Sequence, residues 1–245
     1  MKKRFALVWL ISSTAWAADY PAVLQWSQPV AMSAAAAGVV ERVLVQAGQQ
    51  VRQGELLLAL DQTRYQALVM AARAELERLQ EEEAEAKRNF EREKELYART
   101  VTATTALDAA KLQLVQAKTA TQAGQARLEQ ARRQLAETEL RAPFPALVID
   151  RPAEPGMVVA QCQPPVLLSV ARSDEILARA SLSPAQAATV TLGAAATVQV
   201  GDKGYAGKVR ALRFVAGDKP SYQIDVAIPR AARWMAGQAA TIKLP

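Results

Sequence analysis

The chain has 245 residues, of which 51% are hydrophobic and 22% charged, a balance typical of globular domains. Three of its 30 basic residues lie within the first 17 residues. The other 27, set against 24 acidic residues, leave a net charge of +3, which is too small to indicate a nucleic-acid partner. There is no histidine and one cysteine, Cys162, which removes the usual general base and the common metal-ligand sets. Glycine patterns for nucleotide binding are also missing. We therefore expect no catalytic residue, no metal and no cofactor.

Residues 1–17 are predicted to be a cleavable export signal. Three cations at positions 2–4 precede an apolar run at 5–11, and Ala15-Trp16-Ala17 forms a small-x-small cleavage site. Crossing a bilayer takes roughly 20 apolar residues, so this run is too short to be a membrane span. We expect a mature chain that is exported and soluble.

Two long stretches predict paired helices. Residues 62–99 contain neither Gly nor Pro, and both this stretch and residues 104–140 place apolar residues at alternating spacings of four and three. Folding the two back around Val101 puts Leu79 opposite Gly124 and sets apolar positions against apolar ones, while the polar Glu83 faces Thr121. The predicted seam consists of Tyr65, Val69, Ala72, Leu76, Leu79, Glu83, Ala86, Phe90, Glu93 and Tyr97, and of Leu107, Ala110, Leu114, Ala117, Thr121, Gly124, Leu128, Ala131, Leu135 and Thr138. This pattern predicts an antiparallel coiled-coil hairpin, roughly 57 Å long at 1.5 Å per residue.

The segments that flank these helices repeat each other. Residues 37–60 match residues 145–170 at an offset of 108, which aligns Gly48 with Gly156 and places Cys162 in the turn position of Gly54. Each half alone is too small to bury a core, so the sequence predicts one β unit that the helices split in two. We expect Pro143 to end the returning helix and Cys162 to be buried or to fill a turn.

The remainder of the chain predicts a small β-barrel. Short β runs are expected at 176–182, 196–200, 206–214, 222–228 and 239–244, with residues 23–30 adding a strand. Ser183-Pro184 favours one helix extending to about residue 191, because serine caps a helix and proline suits its first turn.

Together these motifs resemble periplasmic adaptor subunits, the membrane fusion proteins of the HlyD and RND efflux type. The matching residues are Gly38-Val39-Val40, Gly48-x-x-Val51-x-x-Gly54, Leu60-Asp61, Ala142-Pro143-Phe144 and the run from Trp234 to Ala240. The resemblance implies an α+β fold that is mostly β. It comprises a split lipoyl-like β-sandwich at 31–61 and 141–171, the helical hairpin at 62–140, and a barrel from 18–30 and 172–245. Many members continue into a membrane-proximal domain, so the end at Pro245 suggests a short form.

The resemblance also suggests a docking site at the tip of the hairpin. Adaptors that dock on TolC-type channels often carry Arg, Leu and Ser at set spacing near the tip. Here Arg92 and Leu96 match, whereas the serine position holds Ala103. The expected channel contacts are Arg92, Leu96, Arg99, Val101, Thr102 and Ala103.

The predicted function is that of a non-enzymatic periplasmic adaptor. It would link an inner-membrane efflux transporter to a TolC-type outer-membrane channel. The resemblance favours an RND pump over an ABC pump as the transporter, and the sequence itself does not decide between the two. The resemblance implies a homo-oligomer of six copies, attached to the inner membrane through its partner. One alternative is a lipoyl or biotin carrier, although Gln62, Thr63 and Arg64 stand where a carrier has its modified lysine. The other alternative is a periplasmic coiled-coil scaffold without a transport role.

Overall fold

The computed structural model describes residues 18–160, 162–217, 220–230 and 234–244, so the predicted export signal at 1–17 lies outside the described residues. The chain divides into two compact units. One comprises Ala31–Phe144 and Val148–Val170, and the other comprises residues up to Val30, Pro145–Leu147 and residues from Ala171 onward.

Fourteen strands and three helices follow one another along the described chain. In chain order they are β1 (Ala18–Trp26), β2 (Val30–Met32), β3 (Gly38–Val43), β4 (Gln50–Val51), β5 (Leu56–Leu60), α1 (Thr63–Ala98), α2 (Thr104–Ala136), β6 (Glu139–Arg141), β7 (Ala146–Asp150), β8 (Val158–Val159), β9 (Leu168–Arg172), β10 (Glu175–Leu182), α3 (Pro184–Ala187), β11 (Ala195–Val200), β12 (Lys203–Val215), β13 (Ser221–Pro229) and β14 (Ala239–Leu244). The fold is therefore mixed, with short strands on both sides of two long helices.

The two repeated segments form one β unit, because each segment contributes strands to both of its sheets. They form two four-stranded sheets, ordered β2-β9-β7-β4 and β6-β5-β3-β8. The Gly48 N–H donates to the Val148 carbonyl at 2.8 Å, and the Gly156 N–H donates to the Val40 carbonyl, also at 2.8 Å. These two bonds are related by the 108-residue offset of the sequence repeat. Both glycines have positive φ angles, 86° and 89°, which favour glycine because it has no Cβ.

The long helices pack against each other along the predicted seam. The buried helical residues are Leu79 of α1 and Ala110, Gly124, Leu128 and Ala131 of α2, and all five belong to that seam. The Thr121 hydroxyl donates to the Leu79 carbonyl at 3.2 Å. A Cβ placed on Gly124 would lie 2.8 Å from the Leu79 Cδ1 atom, so this large residue does face a missing side chain. Tyr97, at the tip end, is the seam residue that stays exposed, at 42%.

The returning helix is shorter than predicted. α2 ends at Ala136, and neither Leu140 nor Pro143 marks its end. Leu140 instead lies in β6, paired with Leu58 of β5 and buried. The Thr138 hydroxyl donates to the Leu135 carbonyl at 2.6 Å and accepts a hydrogen bond from the Gln62 side chain at 3.0 Å. Strand pairing with the first half of the sandwich therefore overrides the helical pattern of the sequence.

The second unit contains a closed six-stranded barrel with strand order β1-β10-β13-β12-β11-β14. Its core includes the fully buried side chains of Leu24, Ile176, Val198, Ile224 and Ile242. The number and approximate positions of the strands agree with the sequence prediction.

Two local predictions in this part of the chain are wrong. β1 spans Ala18–Trp26 and not residues 23–30, because Gln28 adopts a positive φ of 47° that ends the strand. α3 ends at Ala187 and not at residue 191, since β-branched Thr189, Val190 and Thr191 follow. Its start is as predicted, with Ser183 and Gln186 forming a reciprocal capping box.

Cys162 is exposed rather than buried, so that part of the sequence prediction is wrong. None of the described helices is both long and apolar enough to cross a membrane.

Candidate docking site at the helix tip

The chain leaves α1 through a hydrogen-bonded turn that resembles a Schellman motif. The Thr100 N–H donates to the Tyr97 carbonyl at 2.9 Å, and the Val101 N–H donates to the Leu96 carbonyl at 3.0 Å. These bonds satisfy carbonyl groups that the end of a helix otherwise leaves without partners. The turn therefore fixes the backbone from Leu96 to Val101 against the last turn of α1.

Thr100 has a backbone conformation that is rare for its residue type. Its φ is 60°, in the left-handed region, at the position where Schellman motifs usually have glycine. A β-branched side chain in this region is strained by roughly 1–2 kcal/mol. Thr100 is not among the expected channel contacts, because the sequence carries no glycine at the tip to mark this conformation.

A second contact holds the other side of the tip. The Thr102 hydroxyl donates to the Glu93 carboxylate at 3.2 Å, so the loop is attached to α1 on both sides of Val101. α2 then begins at Thr104, with Ala103 as the residue that precedes its first turn. In this described segment Ala103 has an extended conformation, with φ −82° and ψ 153°, and its side chain makes no capping hydrogen bond. Glu93 is a tip residue that the list of expected contacts did not include.

The turn presents a small apolar surface with a cation beside it. Val101 is 69% exposed, Arg99 and Ala103 are exposed, and Leu96 and Thr102 are half-buried. Four of the six expected contact residues therefore lie in the loop between the helices, and a fifth, Leu96, lies in the last turn of α1. The sixth, Arg92, is exposed one helical turn before Leu96 on α1. Such a surface suits recognition by shape and packing.

Several carboxylates of the helices lie in intrahelical ion pairs. Arg78 bonds both Glu75, at 2.8 Å, and Glu82, and a hydrogen bond from Arg78 lowers the pKa of Glu75. Arg88 is paired with Glu85 at 2.8 Å. Among the described residues no group of acidic and cysteine side chains could hold a metal ion. These carboxylates therefore act as solvated surface groups.

Known proteins share this architecture. The chain is similar in structure to the membrane fusion protein Spr0693 from Streptococcus pneumoniae R6, with a TM-score of 0.72 and 14% identity, covering 93% of this chain and 98% of that one. It is also similar to a MacA-MexA chimeric protein that contains the Pseudomonas aeruginosa MexA alpha-hairpin domain, with a TM-score of 0.67 and 22% identity, covering 93% and 80% of the two chains. At these identities the likeness establishes the fold.

The comparison with protein families agrees with this fold. The chain belongs to the family of the CzcB-like barrel-sandwich hybrid domain, whose model matches residues 28–169. A relative from Escherichia coli K12, called uncharacterized protein YdhJ, is 32% identical over 117 residues. That match covers 48% of this chain and 41% of the relative.

Proposed function

We propose that this chain is a periplasmic adaptor that links an inner-membrane efflux transporter to an outer-membrane channel in a tripartite export system. Membership of the CzcB-like barrel-sandwich hybrid family and the likeness in fold to a membrane fusion protein support the adaptor class. The observation that carries the channel contact is the exposed Val101 in a tip loop tied to α1 on both sides.

Each part of the chain has a role in this proposal. Residues 62–140 form a coiled-coil hairpin that carries the tip away from the sandwich, about 54 Å along α1 at 1.5 Å per residue. Residues 31–61 and 141–171 form the lipoyl-like domain that holds the two ends of the hairpin together. Residues 18–30 and 172–245 form the barrel that meets the transporter. The exchange of hydrogen bonds between the repeated halves supports the second assignment.

The proposed partners follow the family resemblance. They are an RND pump at the inner membrane and a TolC-type channel at the outer membrane, with six copies of the chain assembled between them. The chain would reside in the periplasm after removal of its signal, attached to the inner membrane through the pump. The barrel is the proposed site of that attachment, and cross-linking from the barrel to a co-expressed pump tests it.

A carrier role is less well supported than the adaptor role. A lipoyl or biotin carrier needs a modified lysine in the turn that joins its two halves. In this chain α1 begins at Thr63, directly after Leu60-Asp61 and Gln62, so the helices occupy that turn. A lipoyl or biotinyl adduct in the mass spectrum of the purified protein would contradict this reading.

The experiment that tests the proposed function changes the tip without changing the fold. We expect Val101→Asp to abolish export, because a carboxylate on the exposed tip would have to be desolvated against the channel. Val158→Asp is the matched control, since Val158 is also 69% exposed but lies on the sandwich. Both variants should keep the circular dichroism of the wild type. Full export by Val101→Asp would count against the docking site and favour a scaffold without a transport role.

A further inference from the structure

The second half of β12 lacks a partner strand on one of its two edges. β11 pairs with residues 203–208 of β12, and β13 pairs with residues 208–215. A last pair of backbone hydrogen bonds, 2.8 and 2.9 Å long, joins Val209 to the segment before β11. Beyond Val209, the described chain places neither a strand nor a backbone hydrogen bond on that side of residues 210–215. Alternate residues of this segment therefore direct backbone N–H and C=O groups to an open edge.

An open edge of this length is unusual in a folded protein. Native proteins cover such an edge, shorten it or place charged side chains along it, because it can pair with another strand. The charged residues of this segment are Arg210 and Arg213, and both already bind carboxylates within the barrel unit. Arg210 binds Glu175, and Arg213 binds Asp225. These two cations therefore protect the edge less than free ones would.

The core face of the open segment is apolar. Leu212 pairs with Ile224, which is fully buried, and Phe214 pairs with Tyr222. The rings of Phe214 and Tyr222 pack edge to face with their centroids 5.5 Å apart, yet Phe214 remains 59% exposed. A strand added at this edge would find an apolar neighbour at each position that faces the core side. An exposed aromatic side chain of this kind is a typical anchor of a protein interface.

The opposite face of the segment carries an excess of positive charge. Asp225 is 2% exposed and accepts two hydrogen bonds from Arg179, at 2.7 and 3.1 Å, as well as one from Arg213. One carboxylate thus faces two guanidinium groups. The side chain of Arg213 is 55% exposed and has five N–H donors, so it can bind a second acceptor. A carboxylate on an added strand would balance the excess charge.

These features favour one occupant over two others. A second copy that paired through the same edge would bring its own Arg213 close to the first, and like charges on paired strands repel each other. A lipid surface offers no partners for the backbone N–H and C=O groups. An extended segment of another protein satisfies the backbone groups and supplies both kinds of side chain.

We infer that the open edge of β12 binds an extended segment of the transporter by strand addition, and that apolar and acidic residues alternate along this segment. The inference rests on the proposed attachment of the barrel to a transporter and specifies how the two meet. Backbone hydrogen bonds supply the affinity, whereas Phe214 and Arg213 select the side chains.

Peptide binding to the full exported chain tests the mode of contact. The probe is a capped octapeptide of alternating valine and glutamate, and its control carries lysine in place of glutamate. Fluorescence anisotropy measures binding. Hydrogen exchange followed by mass spectrometry should show protection of residues 210–215 with the glutamate peptide and none with the lysine peptide. Failure of the glutamate peptide to bind, or protection elsewhere in the chain alone, overturns the inference.

Methylated peptides distinguish strand addition from other kinds of binding. One version of the glutamate peptide carries methyl groups on the valine nitrogens, and the other carries them on the glutamate nitrogens. An added strand pairs along one edge only, so we expect one version to bind roughly tenfold more weakly than the other. Equal affinities of the two versions would contradict strand addition.

Two variants test the side chains that select the segment. Arg213→Gln and Phe214→Thr should each weaken binding of the glutamate peptide roughly tenfold. The matched controls are Lys208→Gln, where β12 is paired on both edges, and Val23→Thr, at an exposed residue of β1. Circular dichroism checks the fold, and Phe214→Thr, which leaves the Asp225 cluster whole, decides the test if Arg213→Gln unfolds. Wild-type affinity in the folded variants overturns the inference.

Photo-cross-linking in intact cells identifies the occupant. A photoreactive residue at position 214 should give an adduct with an inner-membrane transporter, and adducts with a second copy alone, or none, overturn the inference. Position 23, on β1, separates this failure from that of the proposed function. Transporter adducts from position 23 alone would contradict strand addition and leave the attachment of the barrel standing. The absence of transporter adducts from both positions would contradict both proposals.

Discussion

Thr100 shows how the tip of the helix pair is held in one conformation. Its φ of 60° would suit glycine, yet the residue is β-branched. Glycine at this position would relieve strain but would also let the loop adopt many more conformations. A threonine therefore limits the conformations of the neighbouring Val101 at a cost in stability.

We expect Thr100→Gly to stabilise the helices by about 1 kcal/mol, because relief of the left-handed strain exceeds the added freedom of the unfolded chain. The midpoint of urea unfolding, followed by the helical circular dichroism signal, measures the change. Thr100→Ala, which keeps the Cβ and loses the branch, should give a smaller gain. A lower midpoint for Thr100→Gly would show that the conformation of Thr100 is not strained.

Ala103 precedes the first turn of α2, and its side chain cannot accept a hydrogen bond from that turn. Ala103→Ser should stabilise α2 by about 1 kcal/mol, because a serine hydroxyl at this position accepts a hydrogen bond from the first turn of the helix. Thermal unfolding followed by circular dichroism measures it. Ala103→Asn should stabilise to a similar degree. If both caps raise the melting temperature but only Ala103→Ser alters export, the serine acts on the channel and not through the helix.

Among the helices and strands, features set by local periodicity were predictable from the sequence, whereas features set by pairing between distant segments were not. The seam was predictable because a four-and-three spacing places its residues on one face, and Leu79 and Gly124 do meet. The end of α2 was not predictable, because Leu140 continues the helical pattern but pairs with Leu58 in a sheet. The hydrogen bond to Glu93 and the backbone conformation of Thr100 were not predictable either, because they depend on a turn that no glycine marks in the sequence.

The contact between Leu79 and Gly124 gives a direct test of how the helices pack. Gly124→Leu should destabilise the helices by about 1–3 kcal/mol, because the new side chain overlaps Leu79. Adding Leu79→Ala should recover part of this loss, although Leu79→Ala alone destabilises as well. Adding Leu112→Ala, at a residue that is 58% exposed, should recover nothing. Additive effects of Gly124→Leu and Leu79→Ala in urea unfolding would mean that the two residues do not touch.

β6, the strand that follows α2, contains Glu139, whose negative charge contributes to stability. Hydrogen bonds from Arg141 and then Gln62 hold the pKa of Glu139 below its usual range. A lowered pKa stabilises the folded state at pH values above the pKa of the unfolded chain, which is about 4.3 for glutamate. This stabilisation is lost as the pH falls through the pKa of the folded state. We therefore expect urea midpoints of the wild type to fall below about pH 4 more steeply than those of Glu139→Gln. Parallel pH profiles would contradict the role of this pair.

At the scale of the whole molecule, the repeat in the sequence was the most informative feature. Gly48 and Gly156 donate equivalent hydrogen bonds across the two halves, so residues far apart in the chain form one β unit. The barrel strands were predictable in number, but their order and closure follow from pairing between distant segments such as β1 and β14. Within the helix-bearing unit, the paired strands β5 and β6 hold the two ends of the helix pair together.

Site-specific photo-cross-linking in intact cells tests most directly whether the tip docks on an outer-membrane channel. A photoreactive residue at position 101 should give an adduct that contains an outer-membrane channel, and the same residue at position 158 should not, although both valines are 69% exposed. Mass spectrometry of the adducts identifies the partner. Adducts with a channel from both positions, or from position 158 alone, would contradict docking through the tip.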